Sequence, residues 1–337
     1  MGNMSVIRLG TRASTLATTQ SEMVAGLLRS EGLDVDLTTI TTHGDTSTAS
    51  LAAMGGIGVF ASAIRATLLK GEADIAVHSF KDLPTGRPLG LAIGAVPARA
   101  DPRDALVARD GLTLHDLPQE ASVGTGSPRR AAQLLAVRPD LTIVDIRGNV
   151  DTRLGRVKGL GHYAKGGGKE DLDAVVLAAS GLARLGHSGT VTEFLDPSVV
   201  LPAPAQGALA VECRTADSRH GKLAKALARI DDRRTRLAAT AERAVLSHLE
   251  AGCAAPIGAL AQLKPVSGSS PQVLTLDVVV ATVDGSRIIR EQVSVELPAE
   301  VDSALAAAHT LGVTAAEELL DDGAADVADL KASGSTR

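Results

Sequence analysis

Asp74-Ile75-Ala76-Val77-His78-Ser79-Phe80-Lys81-Asp82-Leu83-Pro84 opens as a short buried strand over 74–79 and runs straight into polar and charged residues. The residues before it, Phe60 to Lys70, read as a helix that Gly71 stops. Further upstream, Val6 to Gly10 reads as a strand. Ser14 is placed to cap a following helix whose apolar positions are Leu16, Met23, Val24, Leu27 and Leu28. Val35 to Ile40 alternates as a second strand. Strand, helix and strand in this rhythm predict an α/β domain with a largely parallel sheet.

Downstream, residues 97–104 carry two prolines and no apolar period, which reads as a crossing into a second domain. A new α/β rhythm follows. Val123-Gly124-Thr125 ends a strand, Ser127 is an N-cap with Pro128 at the first helical position, and 141–146 and 174–179 are strands. A second break lies at 197–207, followed by a strand over 208–212. The last region departs from this alternation. A helix over 235–249 is ended by Gly252, and β-like runs over 273–283 and 286–297 are joined at Asp284-Gly285. An Ala- and Leu-rich helix at about 300–320 completes an α+β domain. The tail from Ala332 is expected to be disordered.

The chain has 337 residues, enough for two or three domains, and is 45% hydrophobic and 22% charged, which suits a folded protein. Its only aromatic residues of the Phe, Tyr and Trp type are Phe60, Phe80, Tyr163 and Phe194. That excludes an aromatic base-stacking platform, and a net charge of −5 gives no whole-molecule attraction to nucleic acid. Of the 34 basic residues 25 are Arg, whose donor fork suits carboxylates and phosphates. Two cysteines, Cys213 and Cys253, make no disulfide framework, and no metal-ligand spacing is present. The start lacks a long apolar stretch and no run of about 20 apolar residues occurs, so neither a signal peptide nor a membrane-spanning helix is expected. A reducing cytosol is the expected compartment.

Four polar clusters recur where strands end and helices begin, the edge at which open α/β sheets bind ligands. They are 10–14 (Gly-Thr-Arg-Ala-Ser), 78–84, 124–130 (Gly-Thr-Gly-Ser-Pro-Arg-Arg) and 147–153 (Arg-Gly-Asn-Val-Asp-Thr-Arg). Each sets Arg or Lys beside free backbone N–H groups. A helix N-terminus favours an anion by about 0.3–1 kcal/mol, and each hydrogen bond to a charged group adds about 1.5–3 kcal/mol. One such Arg alone reads as a solvated helix start. Four sites of one sign point to an anion-binding cleft, with phosphate and polycarboxylate left open. Asp82 is a carboxylate beside Lys81, in a region otherwise built for anions. On spacing it is a cap or half of an ion pair; functionally it could stabilise a developing positive charge. Cys213 lies in an apolar strand and reads as core, whereas Cys253 sits beside Gly252 in a loop and reads as the reachable thiol. The Gly-rich stretch at 159–169 fails as a nucleotide loop because Lys169 is followed by Glu170.

These pieces together resemble the porphobilinogen deaminase, or hydroxymethylbilane synthase, family from about residue 6 to 320. The resemblance rests on Thr11-Arg12-Ala13-Ser14 with Gln20, His78 to Pro84, Gly124 to Arg130, Arg147 to Val150 with Thr152-Arg153-Leu154, Pro204 to Ala208 with Glu212-Cys213-Arg214, and Gly252-Cys253 with Pro256-Ile257-Gly258. It implies three domains: 1–100 with 203–228, 101–202, and 229–325, followed by a flexible tail over 326–337. The first two would be periplasmic-binding-protein-like α/β domains with the active site between them, and the third a smaller α+β domain.

The resemblance further implies a transferase that condenses four porphobilinogens onto a dipyrromethane cofactor held by a Cys253 thioether, then releases hydroxymethylbilane with water. Asp82 is implied as the catalytic carboxylate. Lys81, Ser127, Arg129, Arg130, Arg147 and Gly148 are implied at the cofactor, and Arg12, Ser14, Ser79, Arg153, Arg184, Gln206 and Phe60 at the substrate. No metal, nucleic acid or membrane is implied, and the expectation is a cytoplasmic monomer. The chain departs from the family in the expected lid at about 43–60: Ile57 stands where relatives often have lysine, and Ala61 leaves the segment less basic. A non-catalytic anion-binding protein on the same scaffold is the other reading.

Overall fold

The computed structural model describes residues 6–40, 58–86, 88–249, 255–264, 272–328 and 330. The expected lid up to Ile57, Gly252 and Cys253 lie outside the described residues. The chain forms two compact units, Met1–Ala100 with Ala208–Arg236, and Asp101–Gly207 with Leu237–Arg337.

In the first unit a five-stranded sheet has the order β2-β1-β3-β10-β4, with β1 Ile7–Thr11, β2 Val35–Thr39, β3 Ile75–Ser79, β4 Leu91–Ala95 and β10 Leu209–Arg214. β1 pairs in parallel with β2 and β3, while β10 runs antiparallel to both β3 and β4. The expectation of a largely parallel sheet therefore meets one reversed strand, β10, which returns from far along the chain. Helix α1, Thr15–Ser30, starts at Ser14, whose hydroxyl accepts from the Ala17 N–H at 3.4 Å. Its buried face is Gln20, Ser21, Val24, Ala25 and Leu28. Met23 and Leu27, expected in the apolar stripe, are 48% and 42% exposed. They stand one residue, about 100° of helical turn, away from Val24 and Leu28. Helix α2, Gly58–Leu69, ends at Gly71, which takes a left-handed φ of +71° and bonds back to the Leu68 carbonyl.

The second unit holds another five-stranded sheet of matching order, β7-β6-β8-β5-β9. Here β5 Asp104–Ala108 is the reversed strand between β8 Ala174–Ala178 and β9 Glu193–Phe194, while β6 Ser122–Gly124 pairs in parallel with β7 Thr142–Val144 and β8. Helix α3 spans Pro128–Val137, α4 Val150–Leu154 and α5 Ala179–Arg184; α6, Gly221–Ile230, belongs to the first unit. Residues after 236 add a smaller C-terminal domain with an antiparallel sheet of β11 Ile257–Leu263, β12 Val273–Ala281 and β13 Ile288–Glu296. Helices α7 Arg233–His248 and α8 Val301–Asp321 pack against it, with Leu237, Val245, Leu276, Val278 and Leu311 in one core.

The β12–β13 turn carries Gly285 at φ +72°, as the Asp-Gly pair implies, and it abuts α3: a Cβ there would lie 2.9 Å from the Ala136 nitrogen. Gly312 on α8 is equally confined. A Cβ would come within 2.6 Å of the Ala244 Cβ on α7, and closer still to the Ala241 carbonyl. Gly312→Ala gains about 1 kcal/mol of helix propensity but forces the two helices apart. A net loss of about 1–3 kcal/mol is expected, read as a lower urea midpoint at unchanged m-value; an unchanged midpoint would refute the close approach.

Candidate active site

In the first unit two clusters meet at one sheet edge. β1 ends at Thr11 and its parallel neighbour β3 ends at Ser79, with Gly10 opposite Ala76. Arg12 and Ser14 therefore leave the sheet beside Ser79. Gln20 and Ser79 exchange two hydrogen bonds, Nε2 to Oγ at 3.0 Å and Oγ to Oε1 at 3.2 Å, which ties α1 to the end of β3. Arg12 is half-buried and Ser14 exposed.

After Ser79 the chain makes a single 3₁₀ turn, Phe80–Asp82. Phe80 and Leu83 are buried, the Phe80 N–H donates to the Ala208 carbonyl at 3.0 Å, and the Leu83 N–H closes the turn onto the Phe80 carbonyl at 3.3 Å. Two buried side chains thus pin the turn from either end, with half-buried Lys81 and exposed Asp82 between them. Ser79, not Asp82, occupies the cap position. Among the described residues no cation pairs with the Asp82 carboxylate, so neither structural reading of Asp82 describes it.

Behind this turn lies a group that sequence reasoning missed. Glu212, on β10, is 1% exposed and accepts from Arg65 Nε at 3.0 and 3.1 Å, with His78 Nε2 3.3 Å away. Burial alone would raise its carboxyl; the contacts with His78 and Arg65 outweigh burial and hold it below the usual range. The available signal was a carboxylate inside an apolar strand run.

The second unit gathers five arginines. Arg129 and Arg130, in the first turn of α3, are buried rather than solvated at a helix start. Arg130 donates from Nε and a terminal nitrogen to Asp104 Oδ1 at 3.0 and 2.7 Å and to the Val176 carbonyl at 3.0 Å. Arg129 lies 2.8 Å from Asp104 Oδ2 and donates to the Leu201 carbonyl at 2.6 Å. Gln206, fully buried, donates to Asp104 Oδ1 and the Pro102 carbonyl, both at 2.8 Å. Burial would raise the Asp104 carboxyl, but the two guanidiniums hold it well below the carboxylate range. Asp104 was missed because 97–104 reads as a linker. The signal for it was an acidic residue opening the apolar run Ala105 to Ala108.

Glu242 of α7 fixes the neighbouring loop by accepting the Ala205 N–H at 2.5 Å, where Ala205 sits at a left-handed φ of 60°. Ser127 is the cap residue of α3, yet its hydroxyl makes no capping bond. Gly148 has φ +107° beside Thr152, and its carbonyl accepts from Arg153 Nε at 2.9 Å. Arg147 is exposed and lies 3.3 Å from Asp145. Arg153 has its guanidinium pKa pushed down by burial and by the like charges of Arg130 and Arg147. Arg184 is lowered by burial alone. It donates to the Gly207 carbonyl at 2.7 Å, while its Nε is buried without a partner.

Desolvated guanidiniums and an orphaned Nε call for an anion. Among the described residues no group of three or more His, Cys, Asp or Glu could hold a metal ion, and no helix is long and apolar enough to cross a membrane. Cys213 is fully buried, and burial first of all pushes its thiol up to about 11.

A family model described as "Porphobilinogen deaminase, dipyromethane cofactor binding domain" matches residues 7–222, and one described as "Porphobilinogen deaminase, C-terminal domain" matches 236–321. This chain belongs to the porphobilinogen deaminase family. Among curated relatives, the porphobilinogen deaminase of Cutibacterium acnes is 96% identical over 99% of this chain and 100% of its own length. That of Micrococcus luteus is 51% identical over 95% of this chain and 94% of its own, and that of Thermobifida fusca 50% over 97% of each. Porphobilinogen deaminases are transferase-type enzymes of tetrapyrrole biosynthesis with porphobilinogen as substrate. The dipyrromethane cofactor of a porphobilinogen deaminase carries carboxylate side arms, and the arginine-rich edge of the second unit fits such a group. The Phe60 side chain, Ile57 and Cys253 fall outside the described residues.

Proposed function

We propose that this chain builds hydroxymethylbilane from four porphobilinogens on a dipyrromethane held by Cys253, with Asp82 as the catalytic carboxylate. The observation that carries the assignment is the exposed Asp82 carboxylate, held on a pinned turn with no cation paired to it among the described residues. When bound, the cofactor supplies the free pyrrole α-carbon on which the chain grows. Porphobilinogen loses ammonia to leave a cationic azafulvene. A fixed carboxylate stabilises that cation through the pyrrole N–H and accepts a proton as aromaticity returns.

The arginines act on the side arms. Each porphobilinogen brings an acetate and a propionate, and Arg129, Arg130, Arg147, Arg153 and Arg184 offer guanidiniums to these arms. Ser127 and Gly148 shape the same edge, where only glycine accommodates the φ of +107°. Lys81, Arg12, Ser14 and Ser79 are assigned to arms at the first unit's edge, and Phe60 to a lid contact. Gln206 acts through Arg130 and Asp104. Holding each ring by its arms removes translational and rotational freedom before the bond forms. The same reading takes the protein as a cytoplasmic monomer of three domains.

The test is the intact mass of the purified full-length chain. The added mass is expected to equal two porphobilinogens less two ammonias. An unmodified chain that turns over porphobilinogen would overturn the cofactor assignment, and an unmodified, inactive chain that binds it would favour a non-catalytic anion-binding protein.

A further inference from the structure

Asp104 opens β5, a strand buried along its whole length, and its carboxylate is excluded from solvent. It faces two guanidiniums, Arg129 at 2.8 Å and Arg130 at 2.7 Å, each nearly as buried as itself. The three groups carry one net positive charge. Among the described residues no second carboxylate pairs with either arginine. A buried charge lacking its counter-charge is costly, so this cluster is built to receive one more negative charge from outside the chain. Nearby, Arg153 is subject to the like charges of Arg130 and Arg147, offset in part by Asp145, and Arg184 has a partnerless buried Nε.

We propose that Asp104 is a specificity-determining residue: by cancelling one of the two guanidinium charges it matches the Arg129–Arg130 pair to a singly charged carboxylate and against a doubly charged phosphate. The proposal rests on the reading that these arginines hold the carboxylate arms of porphobilinogen units. It also decides between the two anion classes that the sequence left open. A phosphate group carries about −1.5 to −2 charges at neutral pH and three strong acceptor oxygens. Placed on this pair, it would bury surplus negative charge, and Arg130 has little left to offer its oxygens, because Nε and both terminal nitrogens already donate to Asp104, Val176 and Gln206. A carboxylate needs one balancing charge and fewer donors. Asn at 104 would keep the shape and one acceptor oxygen while giving the pair its second charge back, and the preference should turn over.

The test uses the full-length chain produced in cells unable to make porphobilinogen, so that no cofactor occupies the site. Thermal melts are run at matched ionic strength and about pH 8, where phosphate is close to a dianion, with inorganic phosphate or acetate as the probe. Asp104→Asn is expected to bind phosphate at least about tenfold more tightly than the parent chain, a difference of about 1.4 kcal/mol, with no matching gain for acetate. Equal or weaker phosphate binding by the variant overturns the proposal. Should Asp104→Asn fail to fold, Asp104→Asn/Arg129→Gln, with the net charge back at one, is expected to fold and to ignore phosphate. A double variant as unfolded as the single one assigns Asp104 to shape rather than charge and overturns the proposal as well. Failure here leaves the intact-mass result for the loaded enzyme untouched, so the charge rule and the function stand or fall separately.

Discussion

Asp82→Asn is expected to keep its fold, its cofactor mass and its affinity for porphobilinogen, and to lose about 10²–10⁴-fold in turnover, the usual range for removing a positioned acid–base group. The side chain is exposed and no cation is paired with it among the described residues, so no ion pair is broken and stability should change by less than about 0.5 kcal/mol. The turn that presents it is held by buried Phe80 and Leu83 and by the bond from the Phe80 N–H to the Ala208 carbonyl, none of which the substitution touches. The amide is nearly isosteric but brings no negative charge to the azafulvene cation and cannot take a proton. The loss should therefore sit in kcat with KM nearly unchanged, the pattern of an interaction made only in the transition state. Steady-state rates of a preparation whose mass shows the cofactor in place decide the matter. Wild-type turnover would remove Asp82 from the mechanism.

Cys253→Ser is expected to yield a chain of unmodified mass and no activity, whereas Cys213→Ser should carry the full cofactor mass. A serine hydroxyl is a far weaker nucleophile than a thiolate, and without an activating base it does not form the link. Cys213 is fully buried in β10, and burial pushes its thiol up to about 11, so almost none of it is thiolate at neutral pH. Replacing it puts a hydroxyl into an apolar environment at a cost of about 1–3 kcal/mol, seen in a lower melting temperature rather than a missing adduct. If both variants keep the adduct, or both lose it, the assignment to Cys253 fails.

Most of the element order was legible because the apolar runs are clean. The strands near 7–11, 35–39, 75–79, 174–178 and 209–214 and both long C-terminal strands lie where the residue pattern puts them. Register within a helix was less so: Met23 and Leu27 are apolar but face outward, since hydrophobicity alone does not fix which edge of a stripe the sheet covers. The reversed strands β5 and β10 were also hidden, because strand direction depends on where a distant segment returns.

The site divided in the same way. Arg12, Ser79, Lys81 and Asp82 were found by their place after a strand, a local property. Asp104 and Glu212 were not, because each acquires meaning from a partner far along the chain: Arg130 for the first, Arg65 for the second. Arg129 and Arg130 were legible as part of an anion-binding edge, but their burial against Asp104 was not, because that carboxylate comes from a different strand.

β10 carries one more consequence, for synthesis. The first sheet needs this strand between β3 and β4, yet β4 ends at Ala95 and β10 begins only at Leu209. The second sheet runs from Asp104 to Phe194 without a missing member. A nascent chain emerging at about 5–20 residues per second therefore has every strand of its second sheet before it has every strand of its first. Until β10 emerges, β3 and β4 present unpaired edges, the state in which strands misassociate. Of the two five-stranded sheets the amino-terminal one is thus the second to have all its strands, and the yield in the cell should depend on what shields those edges while the ribosome finishes the next hundred or so residues.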